Sequence, residues 1–371
     1  MSVFTYSAKF KSDSKNSKLY LYRGEDGKEI ICKRHGYVQE EAATYRLIND
    51  IPGVARMIED GKFVHESKDV SDSDCLFLEK YEGDLGKLLG IRSARSRKAG
   101  NLGVPFSLEE ALPYMVRLLT TLEIMHRRNI CHGDIKPCNI FYDKNENVYL
   151  ADFDLSVAYT KRQMENFSKS KVVYKHGVDL DYVKALSIDY WPGTYAYAPP
   201  ENFVNSALER IGPKYPVSDI WSLGCVFFEM FSGKMFNVTQ FYKSDDGTQL
   251  LHKETKICNY DPLCLLGNVT EDMNRKGFEI YDKGWEEKAS KLGKDSYPAM
   301  TALQCFLVHA VSGKRTSVPE MENLKSLLVG MLDPNFLTRL SAKECLENPL
   351  FKEHLHISQA MWEEFNQKNS Q

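Results

Sequence analysis

Apolar positions divide the chain into a strand-rich beginning and a helix-rich remainder. Residues 3–10, 19–23 and 29–33 are dense in aromatic and β-branched side chains, which pack well on a pleated surface, and Glu25-Asp26-Gly27-Lys28 supplies a turn between the last two. The period then changes: Tyr45 and Ile48 follow Glu41 at helical spacing, predicting a helix over 40–48. Leu76-Phe77-Leu78-Glu79-Lys80-Tyr81 returns to a strand, and Asp84-Leu85 opens another helix. Leu112, Met115, Val116, Leu119 and Leu122 form an apolar stripe behind the capping-box pair Ser107 and Glu110, with Pro113 either kinking that helix or marking a later start. Residues 140–142 and 148–150 flank a polar turn and read as a hairpin. Ile220, Leu223, Phe227, Met230 and Phe231 describe a helix buried on most sides. Leu324, Leu327, Leu328 and Met331 describe another, and Ser341 with Glu344 repeats the capping box. Residues 92–100 read as a solvated basic loop, able to dock acidic or phosphorylated partners. Residues 233–316 have mixed polarity and suit substrate or regulator docking, and the last dozen residues read as a helix fading into a polar tail.

Composition narrows the class. With 43% hydrophobic residues in 371, the chain can bury a sizeable core. Its net charge of -3 gives no reason to expect nucleic-acid binding, and no apolar run approaches the length of a membrane span. Met1 to Tyr6 lack a basic segment followed by an apolar one, so no secretory signal is expected. Nine cysteines without a Cys-x-x-Cys pair fit reduced thiols in a cytosol-like compartment better than disulfides or a zinc site, so a cytoplasmic protein is expected.

The candidate chemistry centres on His132-Gly133-Asp134-Ile135-Lys136-Pro137-Cys138-Asn139. Asp134 and Asn139 stand five positions apart, and the hairpin over 140–150 returns Asp152-Phe153-Asp154 to their neighbourhood. One carboxylate to aim a hydroxyl, with a carboxamide and a second carboxylate to hold a magnesium ion, is an arrangement for phosphoryl transfer. Lys136 can then sit beside the transferring group. His132 reads as a core histidine with no proton-transfer role.

These stretches resemble a eukaryotic-type protein kinase of the Ser/Thr group. Asp152-Phe153-Asp154 stands where that family has Asp-Phe-Gly, and Gly193-Thr194-Tyr195-Ala196-Tyr197-Ala198-Pro199-Pro200-Glu201 resembles its substrate-facing loop. Asp219-Ile220-Trp221-Ser222-Leu223-Gly224 resembles its buried central helix, and Arg339 the arginine that pairs with the loop's glutamate, here Glu201. The resemblance implies an α+β, bilobal fold, with a small β-rich N-lobe over about 1–81, a larger mainly α-helical C-lobe over about 82–356, and a C-terminal helix or tail over 357–371. It also implies ATP with Mg2+, or Mn2+ as an alternative, and protein substrates. Catalytic roles fall on Asp134, Lys136, Asn139 and Thr194. Lys33, Glu41, Leu78, Glu79, Tyr81 and Asp152 are expected at the nucleotide, Leu78 in the gatekeeper place and the following hinge through backbone groups, with Asn139 and Asp152 as metal ligands. The interval from Lys33 to the acidic pair is short for the family, leaving Glu40 as a rival to Glu41 for the ion pair with Lys33.

Three departures qualify the resemblance. The family covers ATP with a glycine-rich loop, whereas residues 9–18 contain no glycine. Either Lys11, Lys15 or Lys18 replaces the missing backbone donors, or the loop never touches nucleotide. Gly133 replaces an arginine that ordinarily receives an activation-segment phosphate, implying activity without that switch despite Thr160, Ser168, Ser170 and Ser187 in the segment. Asp154 replaces glycine and adds negative charge beside the metal site. A pseudokinase scaffold and a small-molecule kinase are the alternatives, the latter because His-Gly-Asp followed by Asn also resembles antibiotic and choline kinases. Such a chain fits a eukaryote, or the host-cell cytosol if it comes from a large virus or an intracellular bacterium.

Overall fold

The computed structural model describes residues 2–10, 17–59, 61–65, 67, 70–98, 105–160, 162, 194, 197–199, 216–233, 240–243, 250–253, 318–333 and 338–370. Its first strands are β1 (Ser2–Phe10), β2 (Lys18–Gly24) and β3 (Glu29–Arg34), an antiparallel meander. Gly27 turns between β2 and β3 at a φ of +80°, where a side chain would be strained. Helix α1 (Val38–Ile48) follows, then β4 (Gly61–Val64) and β5 (Leu76–Glu79). The strand order is β4-β1-β2-β3-β5, with β4 running parallel to β1. Although β4 and β5 lie at opposite ends of that order, Phe63 stacks on Phe77 at a centroid distance of 3.5 Å, so the sheet is curled. Phe4, Tyr22, Ile30, Cys32, Cys75 and Phe77 fill its interior. Helix α1 buries Val38, Glu41, Ala42, Tyr45 and Ile48, one helical face with a carboxylate set into it.

Next come β6 (Gly83–Asp84) and α2 (Leu85–Lys98). Here the expectation of a basic loop over 92–100 is corrected, because the helix continues to Lys98. Leu85, Leu88, Leu89 and Ser93 lie buried on one face while Arg95 and Lys98 stand in solvent. Arg95 and Lys98 lie on the polar face of an amphipathic helix, and both are good helix formers. Arg92 pairs with Glu110 at 3.3 Å and Glu146 at 3.0 Å, and its guanidinium lies 4.2 Å over Phe106.

Helix α3 (Leu108–Arg127) begins at the expected capping box: Ser107 Oγ accepts from the Glu110 N–H at 3.3 Å, and Glu110 Oε2 accepts from the Ser107 N–H at 2.7 Å. It runs through Pro113, which settles the start at Leu108. Then follow β7 (Ile130–Cys131), β8 (Ile140–Tyr142), β9 (Val148–Leu150), β10 (Val157–Ala158), α4 (Pro216–Ser232), β11 (Gln240–Lys243), β12 (Leu250–Lys253), α5 (Val318–Met331), α6 (Ala342–Leu346) and α7 (Leu355–Asn369). Helix α3 packs against α4, α6 and α7. One buried cluster runs from Tyr45 and Leu78 through Leu119 and Phe153 to Trp221 and Phe351, so a small β-rich lobe and a larger helical lobe share a core.

The chain's last helix does not fade. It continues to Asn369, buries Met361, and meets Arg127 and Arg128, whose guanidinium groups lie 4.5 Å over Trp362 and 4.7 Å over Phe365. Arg128 also donates to both Asp50 oxygens, at 2.6 and 2.5 Å, and to the Leu47 carbonyl at 2.7 Å, while Asn369 donates to Asp50 at 2.9 Å. The end of α1, the end of α3 and the end of α7 thus meet at one polar knot.

Candidate active site

The loop between β7 and β8 is held from beneath by Asp219, on the first turn of α4. Its carboxylate accepts the backbone N–H of His132 at 2.8 Å and of Gly133 at 2.9 Å, and contacts His126 Nε2 at 2.9 Å. Burial opposes ionisation there, but His126 and these donors outweigh it and hold the carboxyl below the usual range. Gly133 has a φ of +82°, a left-handed backbone that glycine adopts without strain. His132 is fully buried, its Nε2 bonded to the Ala151 carbonyl at 3.0 Å, and burial pushes its pKa down, so the ring is neutral. This is the core histidine expected from the sequence.

Four expected residues converge above that anchor. Lys136 Nζ lies 2.5 Å from Asp134 Oδ2 and 2.9 Å from Thr194 Oγ1, and the Thr194 N–H donates to Asp134 Oδ1 at 3.0 Å. Asn139 donates its Nδ2 to the Asp134 carbonyl at 2.9 Å and to Asp134 Oδ2 at 3.2 Å. The amide nitrogen is thereby spent on the loop, and the amide oxygen is the atom left to face a ligand.

Asp152 reaches the same region with a φ of +67°, an uncommon conformation for a residue with a side chain and one that concentrates at functional sites. Lys33 Nζ contacts Asp152 and lies 2.8 Å from Glu41 Oε2. Burial would deprotonate Lys33, but Glu41 and Asp152 together raise its pKa above the ordinary lysine value. Burial likewise disfavours the Asp152 carboxylate, and Lys33 overcomes it to hold that carboxyl below its ordinary range. Of the two acids on α1, Glu41 is buried and Glu40 exposed, so Glu41 makes the pair. Glu41 Oε1 also accepts from the Phe153 N–H at 3.3 Å, and Phe153 packs edge-on to Tyr45 at 5.0 Å. A residue missed in the sequence joins this group: His35 Nε2 lies 2.7 Å from Glu41 Oε2. Its signal was its place in the short connection between Lys33 and Glu41.

Asp154 is more than one-third exposed, yet desolvation by the groups around it, reinforced by the Asp152 charge, pushes its carboxyl up to about 6. Asp152 and Asn139 suit a magnesium ion that takes its remaining ligands from phosphate and water. Among the described residues no group of three or more His, Cys, Asp or Glu side chains could hold a metal unaided.

The remaining expected residues make contacts of their own. Leu78 is buried opposite Ile31. Glu79 donates its backbone N–H to the Arg56 carbonyl at 2.9 Å, and the Tyr81 hydroxyl accepts from the Arg56 N–H at 3.1 Å. Glu79 and Tyr81 line a cavity of about 540 Å³ with Asp50, Arg56, Tyr149 and Lys368, whose lining includes none of Lys33, Asp134, Asn139 and Asp152. Lys18 opens β2 opposite Arg34, while Lys11 and Lys15 lie outside the described residues, as do Ser168, Ser170, Ser187 and Glu201. Arg339 is buried, donating to the Asp333 carbonyl at 2.8 Å and the Val217 carbonyl at 3.0 Å.

The family model of the protein kinase domain matches residues 72–351. A probable serine/threonine-protein kinase of Arabidopsis thaliana is 31% identical over 190 residues, 51% of this chain and 21% of that protein. Cyclin-dependent kinase C-1 of Oryza sativa subsp. japonica is 29% identical over 207 residues, 56% of this chain and 32% of that protein. MAP kinase kinase kinase win1 of Schizosaccharomyces pombe is 32% identical over 131 residues, 32% of this chain and 8% of that protein. The chain thus spans no more than 32% of the length of these relatives.

Proposed function

Because the chain belongs to the protein kinase family, we propose that it is an ATP-dependent protein serine/threonine kinase, and that it works without a phosphate on its activation segment. The observation that carries this reading is the position of Lys136, 2.5 Å from Asp134 and 2.9 Å from Thr194, the residue types of a Ser/Thr-directed site gathered at one point.

Each residue's task follows from its surroundings. Lys33, kept cationic by Glu41 and Asp152, binds the α and β phosphates. Asp152 and the Asn139 amide oxygen would hold magnesium, which would supply neutralisation of the phosphate charge. Asp134 aims the acceptor hydroxyl and receives its proton at a carboxylate oxygen, while Lys136 stabilises the transferring phosphoryl oxygens. Independence from activation-segment phosphate rests on Gly133, which offers no guanidinium to receive one.

The second reading, a pseudokinase scaffold, draws on Asp154 and on the glycine-free stretch over 9–18. A small-molecule kinase is disfavoured by the Asp219 to Gly224 helix start and the Ala-Pro-Pro-Glu stretch. A cytoplasmic setting is supported by cysteines that form no disulfide among the described residues, where no helix is long and apolar enough to cross a membrane.

The test is γ-phosphate transfer from labelled ATP to Ser/Thr peptides and to the protein itself, with magnesium or manganese. Asp134→Ala is expected to lower turnover by about 10²–10⁴-fold at unchanged folding. Alanine at Thr160, Ser168, Ser170 and Ser187 together is expected to leave it within roughly threefold. No transfer by the wild-type chain, together with no thermal shift on adding ATP and metal, would favour the scaffold.

A further inference from the structure

We propose that His35 is a positioning residue of the phosphoryl-transfer site, fixing the Glu41 carboxylate so that Lys33 is shared correctly between Glu41 and Asp152. The proposal rests on the kinase reading and adds a residue to it.

The argument starts with the short connection His35-Gly36-Tyr37 between β3 and α1. The Tyr37 backbone N–H points at His35 Nδ1 at 3.3 Å. A backbone N–H can only donate, so Nδ1 is the acceptor and Nε2 carries the hydrogen. That hydrogen faces Glu41 Oε2 at 2.7 Å. The imidazole side chain is 7% exposed and the Glu41 side chain 0%, so the bond forms away from water. Within Glu41, Oε1 serves Lys33 at 2.9 Å and the Phe153 N–H at 3.3 Å, while Oε2 serves Lys33 at 2.8 Å and His35.

The terminal torsion of a glutamate is broad, and an ammonium is a compact charge that fits many orientations. Lys33, with the single longer bond from the Phe153 N–H to Oε1, therefore leaves the carboxylate plane loosely set. The planar imidazole, locked by the turn at one nitrogen and bonded to Glu41 at the other, sets it. The consequence passes to the metal site, because Lys33 also contacts Asp152. When Glu41 swings away, the ammonium moves toward Asp152 and competes with magnesium for that carboxylate. Loss of His35 should thus weaken both ATP and magnesium, while leaving the chemistry at Asp134 intact.

The test compares His35→Leu, His35→Asn and His35→Gln in the full chain, reading the KM for ATP, the half-saturating magnesium concentration and kcat. Gln places an amide donor near the Nε2 position, whereas the Asn amide is too short to reach Glu41. Leu and Asn are expected to raise both concentrations about tenfold or more with kcat changed less than about threefold, and Gln to recover most of the loss. In a Glu41→Gln background, His35→Leu should add less than about twofold, since the two residues act through one contact. An unchanged KM in folded His35→Leu and His35→Asn, or equal penalties in both backgrounds, overturns the proposal. If Leu and Asn do not fold, recovery by Gln of a wild-type KM and magnesium requirement supports it, and a Gln variant that folds with weakened ATP and magnesium overturns it. Imidazole nitrogen NMR reads the same contact without nucleotide: His35 should be the Nε2–H tautomer and its Nε2 resonance should move in Glu41→Gln. The Nδ1–H tautomer, or an unmoved resonance, sinks the proposal even if the wild-type chain transfers no phosphate. Absent transfer beside the expected tautomer sinks the kinase reading instead, and leaves His35 as the residue that holds Glu41.

Discussion

Asp219 accepts the backbone N–H of Gly133 at 2.9 Å, joining the loop between β7 and β8 to a helix whose side chains from Ile220 to Phe231 are almost all buried. A second oxygen of the same carboxylate accepts from His132. Asp219→Ala strands both buried donors and should cost roughly 2–5 kcal/mol, read as a lowered urea midpoint. The folded-state pKa is held down by partners that outweigh burial, so the carboxylate's contribution is present above the unfolded value of about 3.9 and is lost as pH falls through the folded one. The gap in Tm between wild type and Asp219→Asn should therefore be widest at neutral pH and close below about pH 4.

Restoring the family's arginine at position 133 should not create a phosphate-dependent kinase. At a φ of +82° a β-carbon costs roughly 1–2 kcal/mol. Gly133→Arg is expected to melt at lower temperature than wild type and to gain no turnover when the chain is phosphorylated. Differential scanning calorimetry and a transfer assay before and after phosphatase treatment check both halves.

Asp154 loses its proton near pH 6, since desolvation and the Asp152 charge raise its pKa to about 6. Above that pH it adds a negative charge beside Asp152, one of the two proposed magnesium ligands. Asp154→Gly should need several-fold more magnesium or manganese for half-maximal activity at pH 8, and the difference from wild type should shrink at pH 5.5, where Asp154 is mostly protonated. Equal metal requirements at pH 8 would mean that the residue merely faces solvent.

Arg128→Ala removes both bonds to Asp50, the bond to the Leu47 carbonyl and the stack on Phe365. Both ion-pair partners are partly exposed, so the loss should be modest, about 1–2 kcal/mol. Hydrogen exchange should rise locally, at the last turn of α1 and in α7, and a uniform increase across the chain would contradict the knot's local character.

The convergence of the candidate residues was legible where chemistry is written into short spacings. Asp134, Asn139 and Asp152 are brought together by a hairpin visible as two apolar runs around polar residues, and both capping boxes are satisfied locally at Ser107 and Ser341. The start of helix α2 was legible at Asp84-Leu85, but its second half, over 92–98, read as a loop because the arginines there draw attention as charge, although Leu85, Leu88 and Leu89 carry the stripe. The pairing of β4 with β1 and the docking of Asn369 on Asp50 depend on residues far apart in sequence, which no local pattern encodes. His35 escaped for a different reason: its one signal was its place in the short connection before Glu41, and a histidine in a turn carries no period that says which atom it faces.

The bond between Asn369 and Asp50 joins residues 319 positions apart, and this gives the protein a timetable. At a ribosomal rate of roughly 5–20 residues per second, Asn369 is added about 16–64 s after Asp50. Throughout that interval the helix bearing Glu41 lacks its last fastening. A nascent chain thus carries the whole stretch from His132 to Asn139 well before the helix bearing Glu41 receives its bond from Asn369, so that fastening comes late in synthesis.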